Sequence, residues 1–258
     1  MTGCELATRV VGPHDAPVVV LTGSLGTHMS MWEPQVRALS RQCRVVCCDV
    51  RGHGASPVIP GPYTIPDLGA DLVGVLERLE IEHAALIGLS IGGMMSMWAA
   101  AHAPERVQRL VACCTTAKFD SEAASNYRQR AATVREQGLE ALVDSVLARW
   151  VTPGFSQAHP DVVARLRADL AGTDPEAYAA CCEALASMDL TPDLAAIRAP
   201  TLVISGASDS ATPPRYGREI AAGIAGARYE VLDQAAHLAT IERAEAVNEL
   251  LAGFLDLQ

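Results

Sequence analysis

The segment Gly88-Leu89-Ser90-Ile91-Gly92-Gly93 sets a geometric demand that few folds meet. The apolar run His83-Ala84-Ala85-Leu86-Ile87 before it reads as a buried strand, and Met94 to Ala103 after it has the composition of a helix. Gly-x-Ser-x-Gly between a strand and a helix places its serine on a sharp, strained turn whose neighbours must be small. Such a turn lifts the Ser90 hydroxyl clear of the sheet. It also aims the next helix's N-terminus at the same point, where developing negative charge is stabilised. Alone, the motif also fits a glycine-rich turn with an incidental serine, so the rest of the chain decides.

That rest alternates strand and helix. Glu5 to Val11 and Val18 to Thr22 read as strands, and the unbroken Val18-Val19-Val20-Leu21 suits a strand covered on both faces. The small-residue loop Thr22-Gly23-Ser24-Leu25-Gly26 follows, then a helix from Met31 to Ser40 and a strand from Cys43 to Cys48. The glycine-rich loop Asp49 to Pro57 leads to a helix over Ile65 to Leu79, apolar on one face at Leu68, Leu72, Val75, Leu76 and Leu79. Val107 to Cys113 is a further strand. From Thr116 to about Leu190 only helical pattern appears, broken at Gly138, Pro153-Gly154, Pro160 and Asp174-Pro175. Thr173-Asp174-Pro175-Glu176 has the spacing of a capping box. Alternation resumes with a strand over Thr201 to Ser205, a helix over Arg215 to Ala222, a strand over Tyr229 to Leu232 and a closing helix over Ala239 to Leu255. This pattern predicts an α/β fold: a mostly parallel central sheet with helices on both faces and an inserted all-helical cap. The core is expected at 1–115 and 194–258, the cap at 116–193.

The chain's 258 residues, half of them hydrophobic, can bury one large core. A net charge of −10 and a pI near 5.1 argue against nucleic-acid and anionic-membrane partners. No stretch has the length of a membrane span, and Met1-Thr2-Gly3-Cys4-Glu5 lacks the order of a signal peptide, so a cytoplasmic location is expected. Six of the eight cysteines stand in adjacent pairs, and none has metal-ligand spacing with histidine. They read as buried free thiols. Neither a metal nor a cofactor is expected; a small molecule is the expected partner, and monomer and homodimer both stay open.

In open parallel sheets, function gathers in loops at the carboxyl ends of strands. Ser90, Asp209 and His237 each occupy such a loop, in that chain order. A serine hydroxyl needs a base to take its proton, and the base needs an acid to fix its tautomer and stabilise its cation. Asp209 and His237 supply both. Asp233, only four residues before His237, is the weaker competitor for the acid, and His28 is a further candidate for the pocket wall. His53 reads as part of a structural loop. The oxyanion of acyl transfer needs two preorganised donors, for which the backbone N–H groups of Ile91 and Leu25 are the candidates, with the Ser24 hydroxyl beside them.

The whole chain resembles the α/β-hydrolase superfamily and, within it, the 3-oxoadipate enol-lactonases of aromatic catabolism (the β-ketoadipate pathway). The likeness runs through Gly23-Ser24-Leu25-Gly26-Thr27, Asp49-Val50-Arg51-Gly52-His53-Gly54, Gly88-Leu89-Ser90-Ile91-Gly92-Gly93-Met94 and Ala235-Ala236-His237-Leu238-Ala239. In the inserted region it includes Arg149-Trp150-Val151-Thr152-Pro153-Gly154-Phe155 and Thr173 to Tyr178. The resemblance implies a Ser90-His237-Asp209 serine hydrolase that opens a small enol-lactone bearing a carboxylate, giving 3-oxoadipate. It also implies a lid that shapes an apolar slot and supplies a cation. Of Arg128, Arg130, Arg135, Arg149, Arg165 and Arg167, most read as solvated surface charges, and Arg149 beside the pocket-wall candidate Trp150 is the choice for the carboxylate. A carboxylesterase or lactonase with another substrate, and a non-catalytic ligand sensor on the same fold, are the alternatives.

Overall fold

The computed structural model describes residues 4–257. In these residues a seven-stranded sheet forms from β1 (Thr8–Val11), β2 (Val18–Thr22), β3 (Arg44–Cys48), β4 (Ala84–Leu89), β5 (Val107–Cys113), β6 (Thr201–Gly206) and β7 (Arg228–Leu232). The order is β1-β3-β2-β4-β5-β6-β7; β1 runs antiparallel to β3 and every other pairing is parallel. Every residue of β4 and β6 is buried, as expected for strands covered on both faces. From the central pair the chain winds outward in both directions, to β3 after β2 and to β5 after β4. The switch point therefore lies between β2 and β4, at whose carboxyl ends function gathers in open parallel sheets.

Helices α1 (Glu33–Leu39), α2 (Ile65–Arg78) and α3 (Ile91–His102) belong to the first half of the sheet. Thr64 and Asp67 form a reciprocal capping box at the start of α2, and the expected stripe of Leu68, Leu72, Val75 and Leu76 is buried. Between β5 and β6 lie α4 (Ser121–Gln137), α5 (Glu140–Trp150), α6 (Pro153–Ala158), α7 (Pro160–Ala171) and α8 (Pro175–Ser187). Their breaks fall at the glycines and prolines that the sequence marks. α9 (Pro214–Gly223), α10 (Ala239–Glu242) and α11 (Ala244–Phe254) complete the described helices. No helix of the described residues is long and apolar enough to cross a membrane.

Three local expectations are corrected. α3 begins at Ile91, not Met94, because Gly92 and Gly93 lie in its first turn and serve close packing. A Cβ on Gly92 would stand 2.2 Å from the Thr22 carbonyl oxygen, a contact that requires glycine. The closing helix is two helices, interrupted at Arg243, whose backbone leaves the helical region. At α8 the cap is Asp174, whose carboxylate accepts the Ala177 N–H at 2.9 Å. Thr173 instead donates to the Asp169 carbonyl, and Glu176 pairs with Arg135, so the expected box does not form.

Two buried polar arrangements fix the loop after β3. Arg51 donates Nε and Nη2 to the two oxygens of Asp71, each at 2.8 Å, and Asp71 also accepts the Cys4 N–H. His53 is fully buried; its Nδ1 lies 3.0 Å from the Arg51 carbonyl, which fixes that nitrogen as the donor, and Nε2 has no partner. The eight cysteines are all buried and free, and burial pushes the Cys47 thiol up to about 12.

Burial holds the His53 pKa down to about 4, against the ordinary 6.5, despite the opposing bond to Arg51. The folded state therefore binds its proton less readily than the unfolded chain. The stability this residue contributes is complete above about pH 6.5 and is lost as pH falls toward 4, to the extent of about 3 kcal/mol. In urea titrations across that range, the stability difference between the wild type and His53→Gln should shrink by about this amount. A difference independent of pH would contradict it.

Candidate active site

The loops after β2, β4, β6 and β7 open on one end of the sheet. Ser90 closes β4 with φ 57° and ψ −119°, in the left-handed half of backbone space that side-chain-bearing residues rarely occupy. Neighbouring backbone holds it there. The Ser90 N–H donates to the Cys113 carbonyl at 3.0 Å, Thr115 Oγ1 donates to the Ser90 carbonyl at 2.7 Å, and the Gly92 N–H donates to Gly23 at 3.1 Å. Gly88 is equally confined, since a Cβ there would lie 2.1 Å from the Gly92 carbonyl oxygen.

Asp209 and His237 are both buried, and His237 Nδ1 lies 2.9 Å from Asp209 Oδ2. The second carboxylate oxygen accepts the N–H groups of Ala211 and Thr212 at 2.8 and 2.9 Å, while Thr212 Oγ1 donates to Oδ2 at 2.7 Å. Burial works against a charged Asp209. Attraction to the facing His237 ring, its hydrogen bond and the Thr212 donors outweigh that penalty and hold the carboxyl below its ordinary value. With Nδ1 committed to Asp209, Nε2 is the nitrogen left for chemistry. Asp233 is exposed and contributes only its carbonyl, to Arg243.

Ser90 and His237 line one small cavity together with Ser24, Leu25, Tyr127, Arg130, Arg149 and Trp150. Its volume is about 20 Å³, room for a single water. Among the described residues the Ser90 hydroxyl has no hydrogen-bond partner, and the amides of Leu25 and Ile91 donate to no protein acceptor. Ile91 is the first residue of α3, so its N–H belongs to the helix's positive end. A groove of about 770 Å³ between α1, α7 and α11 is far larger, yet Ser90, Asp209 and His237 do not line it. Size does not mark the chemistry here.

The structure thus brings Ser90, His237, Ser24, Leu25, Arg149 and Trp150 to one cavity, with Asp209 immediately behind His237. His28 is not part of that wall. It faces Asp169 on α7, with Nδ1 3.3 Å from Oδ1. Sequence reasoning left out Thr212, Glu242 and Tyr127, and it named Arg130 only among six arginines of which most read as surface charges. Thr212 follows Asp209 by three residues and braces it. Glu242 accepts the Ala236 N–H at 2.8 Å and the Thr152 N–H at 2.9 Å, tying the His237 loop to the start of α6. Tyr127 and Arg130, spaced i,i+3 on α4, reach the cavity from above. That spacing was the one signal available in the sequence.

A family model described as the alpha/beta hydrolase fold matches residues 16–244. The chain is 40% identical over 237 residues to 3-oxoadipate enol-lactonase 2 of Acinetobacter baylyi, covering 92% of this chain and 88% of that protein. Among solved structures, the enol-lactonase from Burkholderia xenovorans LB400 superposes with a TM-score of 0.94 at 43% identity, over 97% of this chain and 96% of that one. A thermophilic esterase from Thermogutta terrifontis, solved with malate bound, reaches 0.91 at 31% identity, over 97% and 93%.

The packing around Gly92 sets a direct test. Gly92→Ala must drive the β2 loop and the α3 N-terminus apart, and should cost about 2 kcal/mol or more in urea denaturation. A variant as stable as the wild type would show that the close approach is not needed.

Proposed function

Since the chain belongs to the α/β-hydrolase family and is a hydrolase acting on ester or lactone bonds, we propose that it opens 3-oxoadipate enol-lactone by Ser90-His237-Asp209 catalysis. The observation that carries this reading is the buried His237–Asp209 pair at 2.9 Å, set behind a cavity that His237 lines together with Ser90 and Leu25. We take residues 116–193 as the cap.

In this mechanism His237 Nε2 accepts the proton of Ser90 as Oγ adds to the lactone carbonyl. The oxyanion takes hydrogen bonds from the N–H groups of Leu25 and Ile91, each worth roughly 3 kcal/mol of barrier. Collapse breaks the ring C–O bond. The enol oxygen takes the proton from His237 and tautomerises to the ketone. Water then attacks the acyl-Ser90 ester with His237 again as base, releasing the second carboxylate of 3-oxoadipate and the free hydroxyl. Asp209 keeps Nδ1 protonated throughout and stabilises the imidazolium.

The cavity at Ser90 is lined by side chains of α4 and α5 as well as by the sheet loops. Trp150, Ser24 and Arg149 line it, and Arg149, whose Nη2 already donates to the Ser210 carbonyl at 3.3 Å, is at most a secondary cation for the substrate carboxylate. The malate held by the similar esterase is itself a carboxylate ligand, in keeping with an anion-accepting site.

Two measurements test the reading. Ser90→Ala should fold normally and lose at least about 10⁴-fold in kcat on any ester. In steady state, 3-oxoadipate enol-lactone should exceed neutral lactones and short p-nitrophenyl esters by at least about 100-fold in kcat/KM. Retention of activity by the alanine variant refutes the mechanism. A higher efficiency on neutral esters refutes the substrate and leaves a general carboxylesterase.

A further inference from the structure

Six arginines lie on α4, α5 and α7, and their surroundings separate them. Arg135 is engaged by Glu176 and Glu183, and Arg167 by Asp144 and Glu140. Arg128 donates to the Ala186 carbonyl at the surface. Arg130 differs from these three. Its guanidinium lies 5.1 Å from the centre of the Tyr127 ring, and Nη1 donates to the Tyr178 hydroxyl at 3.3 Å. Both tyrosines are buried, and among the described residues no carboxylate stands within ion-pair reach of Arg130. A half-buried cation held by two aromatic side chains and left without a counter-ion is costly unless an anion visits it.

Arg130 also stands where two spaces meet. It lines the cavity of Ser90 and His237, and it lines a second chamber of about 220 Å³ that opens beside it. Tyr127, Arg149 and Ala211 border both. The second chamber adds Arg215, Asp120 and Glu122, and Asp120 is already paired with Arg215 at 2.9 Å. The space at Ser90, about 20 Å³, is too small to hold a whole lactone, whereas the second chamber has about 220 Å³. A charged side arm of the substrate must therefore extend into the wider chamber, past Arg130.

We propose that Arg130 is the residue that selects for a carboxylate on the substrate, receiving it in the chamber between α4 and the loop after β6 while the scissile carbonyl sits at Ser90. Arg149 lines the mouth of the same chamber. The assignment deepens the serine-hydrolase reading and rests on it. The Tyr178 hydroxyl and the Tyr127 face fix the guanidinium before the substrate arrives, so little rotamer freedom is lost on binding. The aromatic surroundings strengthen a charge-assisted pair by excluding water.

The test is a selectivity ratio: kcat/KM for 3-oxoadipate enol-lactone divided by that for a neutral lactone of the same ring size. Arg130→Met should lower this ratio by about 30-fold or more, with the loss in KM rather than in kcat. Arg130→Lys should restore part of it. Arg130→Gln, which keeps a donor for Tyr178, guards against misfolding and should lower the ratio as far as the methionine variant does. Glutarate should inhibit hydrolysis of the neutral lactone by the wild type and do so markedly less in both uncharged variants. Equal losses on both lactones, or a ratio that falls in Arg149→Met and not in Arg130→Gln, overturn the assignment. A wild type that opens the neutral lactone through Ser90 and shows no preference for the anion overturns it as well, and leaves the hydrolase reading standing.

Discussion

The backbone of Ser90 is held in a conformation that costs on the order of 1–3 kcal/mol, and the surrounding structure is arranged to keep it there. β2, β4 and β5 all end at this point. The Cys113 carbonyl takes the Ser90 N–H from one side, and the Gly23 carbonyl takes the Gly92 N–H from the other. Because Gly92 has no side chain, the start of α3 can lie directly against the Thr22 carbonyl. One contact therefore sets two positions: the serine at the head of α3 and the loop that carries the Leu25 amide. If that approach widened, the head of α3 and the loop bearing Leu25 would move apart. The strain and the preorganisation are the same feature.

The imidazole is fixed by a different route, through the helices that lie between β5 and β6. His237 is flanked on both sides by bonds to other elements: the Ala236 N–H donates to Glu242, and the Leu238 N–H donates to the Trp150 carbonyl at 2.8 Å. Glu242 also receives the amide and hydroxyl of Thr152, where α6 begins. The loop bearing His237 is thus stapled to the end of α5 and the start of α6. A shift of those helices would be felt at the ring, whose other partner, Asp209, belongs to the β6 loop and is braced by Thr212. The position of the inserted helices and the orientation of the imidazole depend on one set of contacts.

What could be read in the sequence follows from how local the cause is. The strand ends bearing Ser90, Asp209 and His237 were legible because each is a short apolar run followed by turn-forming residues. The breaks between the inserted helices were legible for the same reason, in glycine and proline. The start of α3 was misplaced because Gly92 and Gly93 have poor helix propensity, and their use depends on a strand seventy residues earlier in the chain. Thr173 looked like a cap by spacing, but Asp174 is the better acceptor and takes the role. The roles of Glu242 and Arg130 were not legible. Glu242 acts on Thr152, 90 positions away, and Arg130 leans on Tyr178, 48 positions away. A lone arginine in a helix is told from a solvated one only by what surrounds it in space.

Electrostatics sharpen that last distinction. The chain carries a net charge of −10, which would repel an anionic substrate if the average field decided binding. Exposed charges are screened beyond about 8 Å at physiological ionic strength, so the average governs only distant approach. Within the chamber the balance differs. Arg130, Arg149 and Arg215 face Asp120 and Glu122, and one of those acids is consumed by Arg215. Next to the buried Tyr127 and Tyr178 rings, a nearby guanidinium acts at shorter range and in a lower dielectric than remote surface carboxylates. An acidic surface and a locally cationic pocket are therefore compatible.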